Sequence, residues 1–152
     1  MAGNKAGKGI EILIFKHVRN VMSEREIQNV LIVDDEPDVC FLFEKILRKR
    51  NLRSGSANNL ADATSLIEKR RPYLIFLDNS LPDGKGIDFI PYLKSHYPHT
   101  KVIMVTANDS PDDQQAAYLK GADDFLGKPL SLELINNTLD RMTVSSRNSP
   151  IL

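Results

Sequence analysis

Asn29-Val30-Leu31-Ile32-Val33-Asp34-Asp35-Glu36-Pro37-Asp38 is the stretch on which the reading of this 152-residue chain turns. Val30 to Val33 is a continuous apolar run, too short for a helix and suited to a strand buried on both faces. Behind the acids, Val39, Leu42, Phe43, Ile46 and Leu47 fall at i, i+3, i+4, i+7 and i+8, one apolar stripe of a helix. A buried strand, a cluster of acids and an amphipathic helix make one unit of a parallel sheet, because parallel neighbours need a crossover between them.

The unit repeats downstream. Leu52 to Ala57 is a weak second strand, and Leu60, Ala63 and Ile67 mark a helix that ends near Lys69-Arg70-Arg71-Pro72. Tyr73 to Leu77 is continuously apolar, and Ile87, Ile90 and Leu93 suggest a third helix. Pro91 falls inside that pattern, where it removes one backbone hydrogen bond unless the helix starts late or bends. Lys101 to Val105 is a fourth strand, and Ser110-Pro111-Asp112-Asp113 supplies an N-cap, a Pro at N1 and an acid at N3 for a helix closed by Gly121. Asp124 to Leu126 is a short fifth strand, and Ser131 caps a last helix carrying Ile135, Leu139 and Met142. Five such units imply an α/β three-layer sandwich, a five-stranded parallel sheet with helices on both faces. The domain is expected over residues 28–142. Residues 1–27 read as an N-terminal extension or leader; Ile10, Ile14, Val18 and Val21 at helical spacing leave a short amphipathic helix as the alternative. Residues 143–152 read as a flexible tail.

Composition narrows the function. With 41% hydrophobic residues the chain can bury a core, so disorder throughout is excluded. Twenty Lys and Arg balance twenty Asp and Glu, against a basic nucleic-acid binder. Residues 28–142 hold 14 basic and 17 acidic residues, a net of −3. The basic run Lys45, Arg48, Lys49, Arg50 and Arg53 lies on the polar side of one helix without aromatic stacking partners and reads as a solvated face. The single Cys40 excludes an intramolecular disulfide and reads as a half-buried small hydrophobe, which with the absence of a secretion signal makes the cytoplasm the expected location. No apolar run approaches the roughly 18 residues of a membrane span. His17, His96 and His99 lie away from the strand ends and read as surface or loop residues.

In an open parallel sheet, ligands bind beyond the carboxyl ends of the strands. Here those ends are Asp34-Asp35-Glu36-Pro37-Asp38, Asp78, Thr106 and Lys128-Pro129. Each has an ordinary explanation alone: a helix cap, strand filler, a solvated charge. Together, Asp34, Asp35 and Asp78 place three negative charges in one pocket, costly in a partly desolvated site. A divalent cation and Lys128 would offset them, and an all-oxygen donor set suits Mg2+ or Mn2+. A carboxylate neutralised in this way can attack a phosphoryl group, with cation and ammonium stabilising the equatorial oxygens.

Asp34-Asp35, Asp78 followed by Leu81-Pro82 and Gly86, Val105-Thr106-Ala107, and Gly121-Ala122-Asp123-Asp124-Phe125-Leu126-Gly127-Lys128-Pro129 together resemble the receiver domain of two-component response regulators. The resemblance covers about residues 28–142. It implies a flavodoxin-like (βα)5 fold with strand order 2-1-3-4-5, and a phosphoryl group accepted by Asp78 from a sensor histidine kinase or a histidine phosphotransfer protein. It further implies that Asp35, Asp78 and the Ser80 backbone carbonyl ligate Mg2+, with Asp34 holding the metal directly or through water. Thr106 and Lys128 would contact phosphoryl oxygens, Phe125 would be an aromatic switch coupled to Thr106, and the Lys128–Pro129 bond would be cis. The output would be a partner protein, a fused output domain or a phosphorylation-dependent homodimer, read through the fourth helix, fifth strand and fifth helix, with no direct nucleic-acid or membrane contact and no enzymatic activity beyond self-catalysed phosphoryl transfer and autodephosphorylation. Asn79 departs from the family, which usually has an apolar residue there, and Pro91 interrupts a helix that is normally continuous. Ser80 and Asn108 flank the phosphoryl site, where they could tune how an attacking water is positioned.

Rival readings fit less well. An aspartyl-nucleophile phosphatase usually has a second Asp where Ser80 stands, and a flavin-binding relative needs hydroxyls and amides where Asp34 to Asp38 would repel a phosphate. A receiver-shaped module that works without phosphorylation usually lacks one or more of the site residues, and here the set is whole.

Overall fold

A computed structural model describes residues 9–14 and 29–147. Residues 9–14 are helical and expose Ile10, Ile12, Leu13 and Ile14. Val18 and Val21 of the expected amphipathic pattern, together with His17, lie outside the described residues.

The remaining elements alternate: β1 (Asn29–Val33), α1 (Pro37–Lys49), β2 (Arg53–Ala57), α2 (Leu60–Arg70), β3 (Leu74–Asp78), α3 (Gly86–His96), β4 (Lys101–Thr106), α4 (Pro111–Lys120), β5 (Asp124–Gly127) and α5 (Leu132–Arg147). A two-residue hairpin, Ser80–Leu81 against Gly84–Lys85, lies between β3 and α3. All pairings in the main sheet are parallel, in the order β2-β1-β3-β4-β5. This is the order the resemblance implied.

Alternation along the strands divides the core. Val30, Ile32, Leu74, Phe76, Ile103, Val105 and Leu126 point to one face and pack with Phe43 and Leu47 of α1 and Ile135 and Leu139 of α5. Leu31, Val33, Ile75, Leu77, Val102 and Met104 point to the other, against Ala63 and Ile67 of α2, Ile90 and Leu93 of α3, and Ala117 of α4. Both helix layers are therefore covered by the same strands, and every strand finishes at one common edge. The expected caps form: Ser110 Oγ accepts from Asp113 N, Ser131 Oγ accepts from Leu134 N, and Gly121 ends α4 with φ +113°.

Several expectations are corrected in detail. Pro91 is the sixth residue of α3, so the helix does not start late; Pro91 is exposed, and the expected loss falls on the Ile87 carbonyl four residues back, which gives up its usual donor on the outer side of the helix. Strand β3 starts at Leu74 and runs through Asp78. Helix α5 passes Met142 and continues to Arg147, because no Gly or Pro interrupts the chain before Pro150. Cys40 is fully buried rather than half-buried. The basic run is not uniformly solvated: Arg50 donates to Asn136 and Asp140 of α5, and Lys45 lies 5.2 Å over the Phe41 ring.

Helix α3 begins in direct contact with the end of β3. A Cβ on Gly86 would lie 2.1 Å from the Asp78 carbonyl oxygen, which is backbone and cannot give way. On Gly127 it would meet the Asp109 carboxylate at 2.6 Å, the end of an exposed side chain that can rotate. Gly86→Ala is therefore expected to lose about 1–3 kcal/mol or more in urea denaturation, clearly more than Gly127→Ala. Equal losses would contradict this account of Gly86.

Candidate functional site

Parallel register brings the acids together. Val33 pairs with Leu77, so Asp34 and Asp78 emerge side by side from neighbouring strands, and Asp78 pairs with Val105, one residue before Thr106. Asp34 N donates to Ala57 O at 3.0 Å and Lys128 N donates to Thr106 O at 2.8 Å, which extends both ladders by a residue and holds the two side chains at the edge. Asp34 and Asp78 are buried, 2% and 4% exposed, whereas Asp35 is exposed. One carboxylate oxygen from each of the three lies within 4.8 Å of the others.

A single ammonium serves this cluster. Lys128 Nζ donates to Glu36 Oε1 at 3.0 Å and lies 3.0 Å from Asp34 Oδ2 and 3.5 Å from Asp78 Oδ1. Asp34 Oδ1 accepts from Glu36 N at 2.9 Å, but Oδ2, although close to Lys128, receives no directed hydrogen bond and is buried. Burial raises the Asp78 carboxyl pKa to about 6, the Asp34 charge adds to the effect, and Lys128 opposes it. Burial likewise raises Asp34, against the Glu36 amide and Lys128. Burial works against the Lys128 charge, but the hydrogen bond to Glu36 and the close negative charges of Asp34 and Asp78 outweigh it and hold the ammonium above its ordinary range.

The donor set suits a hard cation. Three carboxylates converge, one buried oxygen lacks a hydrogen bond, and the local lysine cannot balance them alone. No group of three or more Cys, His, Asp or Glu among the described residues, other than Asp34, Asp35 and Asp78, brings its ligand atoms together in this way.

The other expected residues stand around this centre. Thr106 is 5% exposed at the end of β4, and its Oγ1 accepts from Asn108 N at 3.2 Å. Ser80 is exposed in the hairpin two residues past Asp78. Phe125 is half-buried, level with Met104 and on the Thr106 side of the sheet. The Lys128–Pro129 peptide is cis.

The sequence does not single out Glu36 or Asp83 for the site, and it marks Asn79 only as a departure from the family pattern. Glu36 holds Lys128 although it was read only as part of an acidic stretch. Asn79 accepts from Ile87 N through Oδ1 at 3.1 Å, while its carbonyl accepts from Gly86 N at 2.9 Å, so the polar departure from the family caps α3. Asp83 accepts from the first two amides of α2. Asn and Asp seven and three residues before a helix start were the available signal for the last two, but their partners are not determined by spacing.

Comparisons with known proteins place the chain in a family. A family model of the response regulator receiver domain matches residues 30–140. Response regulator protein PilR of Pseudomonas aeruginosa is 38% identical over 128 residues, 82% of this chain and 29% of its own length. Transcriptional regulatory protein DpiA of Escherichia coli is 37% identical over 115 residues, 74% of this chain and 50% of its own length. The chain thus spans half or less of these two relatives. Among solved structures, the beryllofluoride-activated NtrC4 receiver domain dimer is 34% identical with a TM-score of 0.71, covering 74% of this chain and 93% of its own. Chemotaxis protein CheY4 of Vibrio cholerae is 27% identical with a TM-score of 0.70, covering 76% and 98%.

The raised Asp78 pKa has a sign that can be tested. A carboxyl at about 6 in the folded chain and 3.8 as a free group binds its proton more tightly when folded. Its favourable contribution is present below the lower value and is lost as pH rises through the higher one. Without divalent cations, Asp78→Asn is expected to be the more stable protein at pH 7.5, by about 1–3 kcal/mol at ~1.4 kcal/mol per pKa unit. The gap should shrink towards pH 4. Melting curves in chelator at the two pH values check this, and a less stable Asn variant at pH 7.5 would contradict it.

Proposed function

The chain belongs to the response regulator receiver domain family, and from that premise we propose that Asp78 is its phosphoacceptor. The observation that carries the reading is the position of Asp78, buried beside Asp34 and 3.5 Å from the Lys128 ammonium. An Asp78 carboxylate oxygen attacks the phosphorus of a phosphohistidine on a sensor histidine kinase or histidine phosphotransfer protein. The oxygen–phosphorus bond forms as the phosphorus–nitrogen bond breaks, and the imidazole nitrogen leaves and takes up a proton. Asp34, Asp35, Asp78 and the Ser80 backbone carbonyl would hold Mg2+ or Mn2+. When bound, that cation offsets negative charge on the acids and on the phosphoryl oxygens.

The chain's own groups do the remaining work. Lys128, already surrounded by carboxylates, contacts one phosphoryl oxygen, and the Thr106 hydroxyl contacts another. Movement of Thr106 towards the phosphoryl group vacates space on the side where Phe125 packs, so the ring can turn inward. Ser80 and Asn108 border the same space, where hydrolysis of the acyl phosphate returns the domain to its starting state.

Output runs through α4, β5 and α5, a pre-existing two-state equilibrium shifted by the new charge. That face exposes Tyr118, Leu119 and Leu132, at 46%, 80% and 58%, and carries the Arg141–Asp124 ion pair at 2.8 Å. It suits a downstream protein, a fused output domain or a second copy of this chain; the dimer state of the activated NtrC4 receiver supports the last. Residues 28–142 act as the receiver unit, in the cytoplasm, where a kinase donor would meet it. No helix among the described residues is long and apolar enough to cross a membrane.

Acetyl phosphate with Mg2+ is expected to add one phosphoryl group to the intact mass, and Asp78→Asn to abolish the addition. A beryllofluoride titration with Mg2+ should move NMR resonances at Thr106, Tyr118 and Phe125. An unchanged mass in the wild type, or resonances that stay put on the α4–β5–α5 face, would refute the acceptor and the output surface respectively.

A further inference from the structure

The loop of residues 79–85, which leads from the acceptor strand into α3, is tied to the first turns of two helices. At its start, Asn79 closes on α3 through Gly86 N and Ile87 N. At its tip, Asp83 Oδ1 accepts from Leu60 N at 2.8 Å and Oδ2 accepts from Ala61 N at 3.0 Å. These are the first two amides of α2, which no carbonyl of their own helix can reach. The N-cap of α2, Asn59, serves Asp62 N instead, at 2.7 Å. Thus α2 needs the loop for its capping, and the loop gains a fixed point on a helix whose Ala63 and Ile67 are in the core.

Packing reinforces the tie. Gly84 has φ +158°, and a Cβ there would come 3.0 Å from Leu60 Cδ1, so Leu60 closes over the turn beside Asp83. The hairpin itself consists of two residue pairs, Ser80 with Lys85 and Leu81 with Gly84, too little ladder to be rigid alone. Hydrogen bonds from Leu60 N and Ala61 N also keep the Asp83 carboxyl below its ordinary pKa, against a slight burial effect, so it stays ionised at neutral pH.

We infer that Asp83 is a positioning residue for cation binding: by capping α2 from the loop, it fixes the stretch that carries Ser80, two residues past Asp78, whose backbone carbonyl is the proposed ligand. The inference rests on the proposed role of that carbonyl. Asp83 is not one of the converging carboxylates, which are Asp34, Asp35 and Asp78, and its two oxygens are turned to α2 amides.

Mg2+ titrations of the full chain, followed by NMR in about 0.5 M KCl to screen the through-space effect of an exposed charge, test this. Asp83→Ala should raise the Mg2+ dissociation constant about tenfold, the lower end of what loss of an outer-shell partner costs. Asp83→Asn keeps one acceptor and should fall between the two, and it serves if the Ala variant does not fold. Amide hydrogen exchange at Leu60 and Ala61 should quicken in both. Variants that bind Mg2+ within about twofold of the wild type under this screening, with those amides deprotected, overturn the positioning role. A wild type that takes up no Mg2+ overturns the cation site itself, and the positioning role with it.

Discussion

One ammonium shared among carboxylates is the constraint on which this structure is organised. Lys128 Nζ stands 3.0 Å from Asp34 and from Glu36 and 3.5 Å from Asp78. Two buried carboxylates side by side are unfavourable, and Lys128 opposes the rise in pKa that burial imposes on both. Lys128 reaches them only because β5 ends at the same edge as β1 and β3, although β4 lies between β3 and β5. The parallel sheet, its register and the two helix layers that keep it rigid are all needed to bring that charge across.

The balance is incomplete, and the incompleteness gives the site its chemistry. Asp35 is left without a share in Lys128, and Asp34 Oδ2 is buried without a directed hydrogen bond. A site fully satisfied by its own side chains would have no reason to take up a cation or a phosphoryl group. Here the protein holds the acids in place through backbone contacts: the Asp34 and Lys128 amides extend strand ladders, and Gly86 packs on the Asp78 carbonyl. Folding energy from the two cores thus maintains a local electrostatic strain, as sites built for charge transfer commonly do.

Much of this was legible in the residues. Val30 to Val33 and Leu74 to Leu77 are unbroken apolar runs because both faces of those strands are covered, and such runs are hard to mistake. The caps at Ser110 and Ser131 were equally plain, since a cap and its helix are adjacent in sequence. The site was legible as a set because strand ends are the places where apolar runs stop. What escaped were contacts between distant segments. Asn79 looked like a departure, yet it caps α3; Asp83 was not singled out in the sequence, yet it caps α2; Arg50 looked solvated, yet it joins α1 to α5. Pro91 left open whether its helix would start late, and the helix starts at Gly86 because one already packed through Ile90 and Leu93 tolerates the loss of one solvent-facing hydrogen bond.

The sequence by itself determined the periodicities, hence the elements, and the chemical types that stand where those elements end. These are local properties, set by steric preference and by which side chains can leave water. Tertiary structure alone decided which acid shares Lys128, which carboxylate oxygen is left without a hydrogen bond, and which helix amides hold the loop after Asp78. Those outcomes depend on distances of a few ångströms between residues far apart in the chain. Charge, burial and hydrogen bonding act through such distances, so they become defined only when the sheet has closed into register.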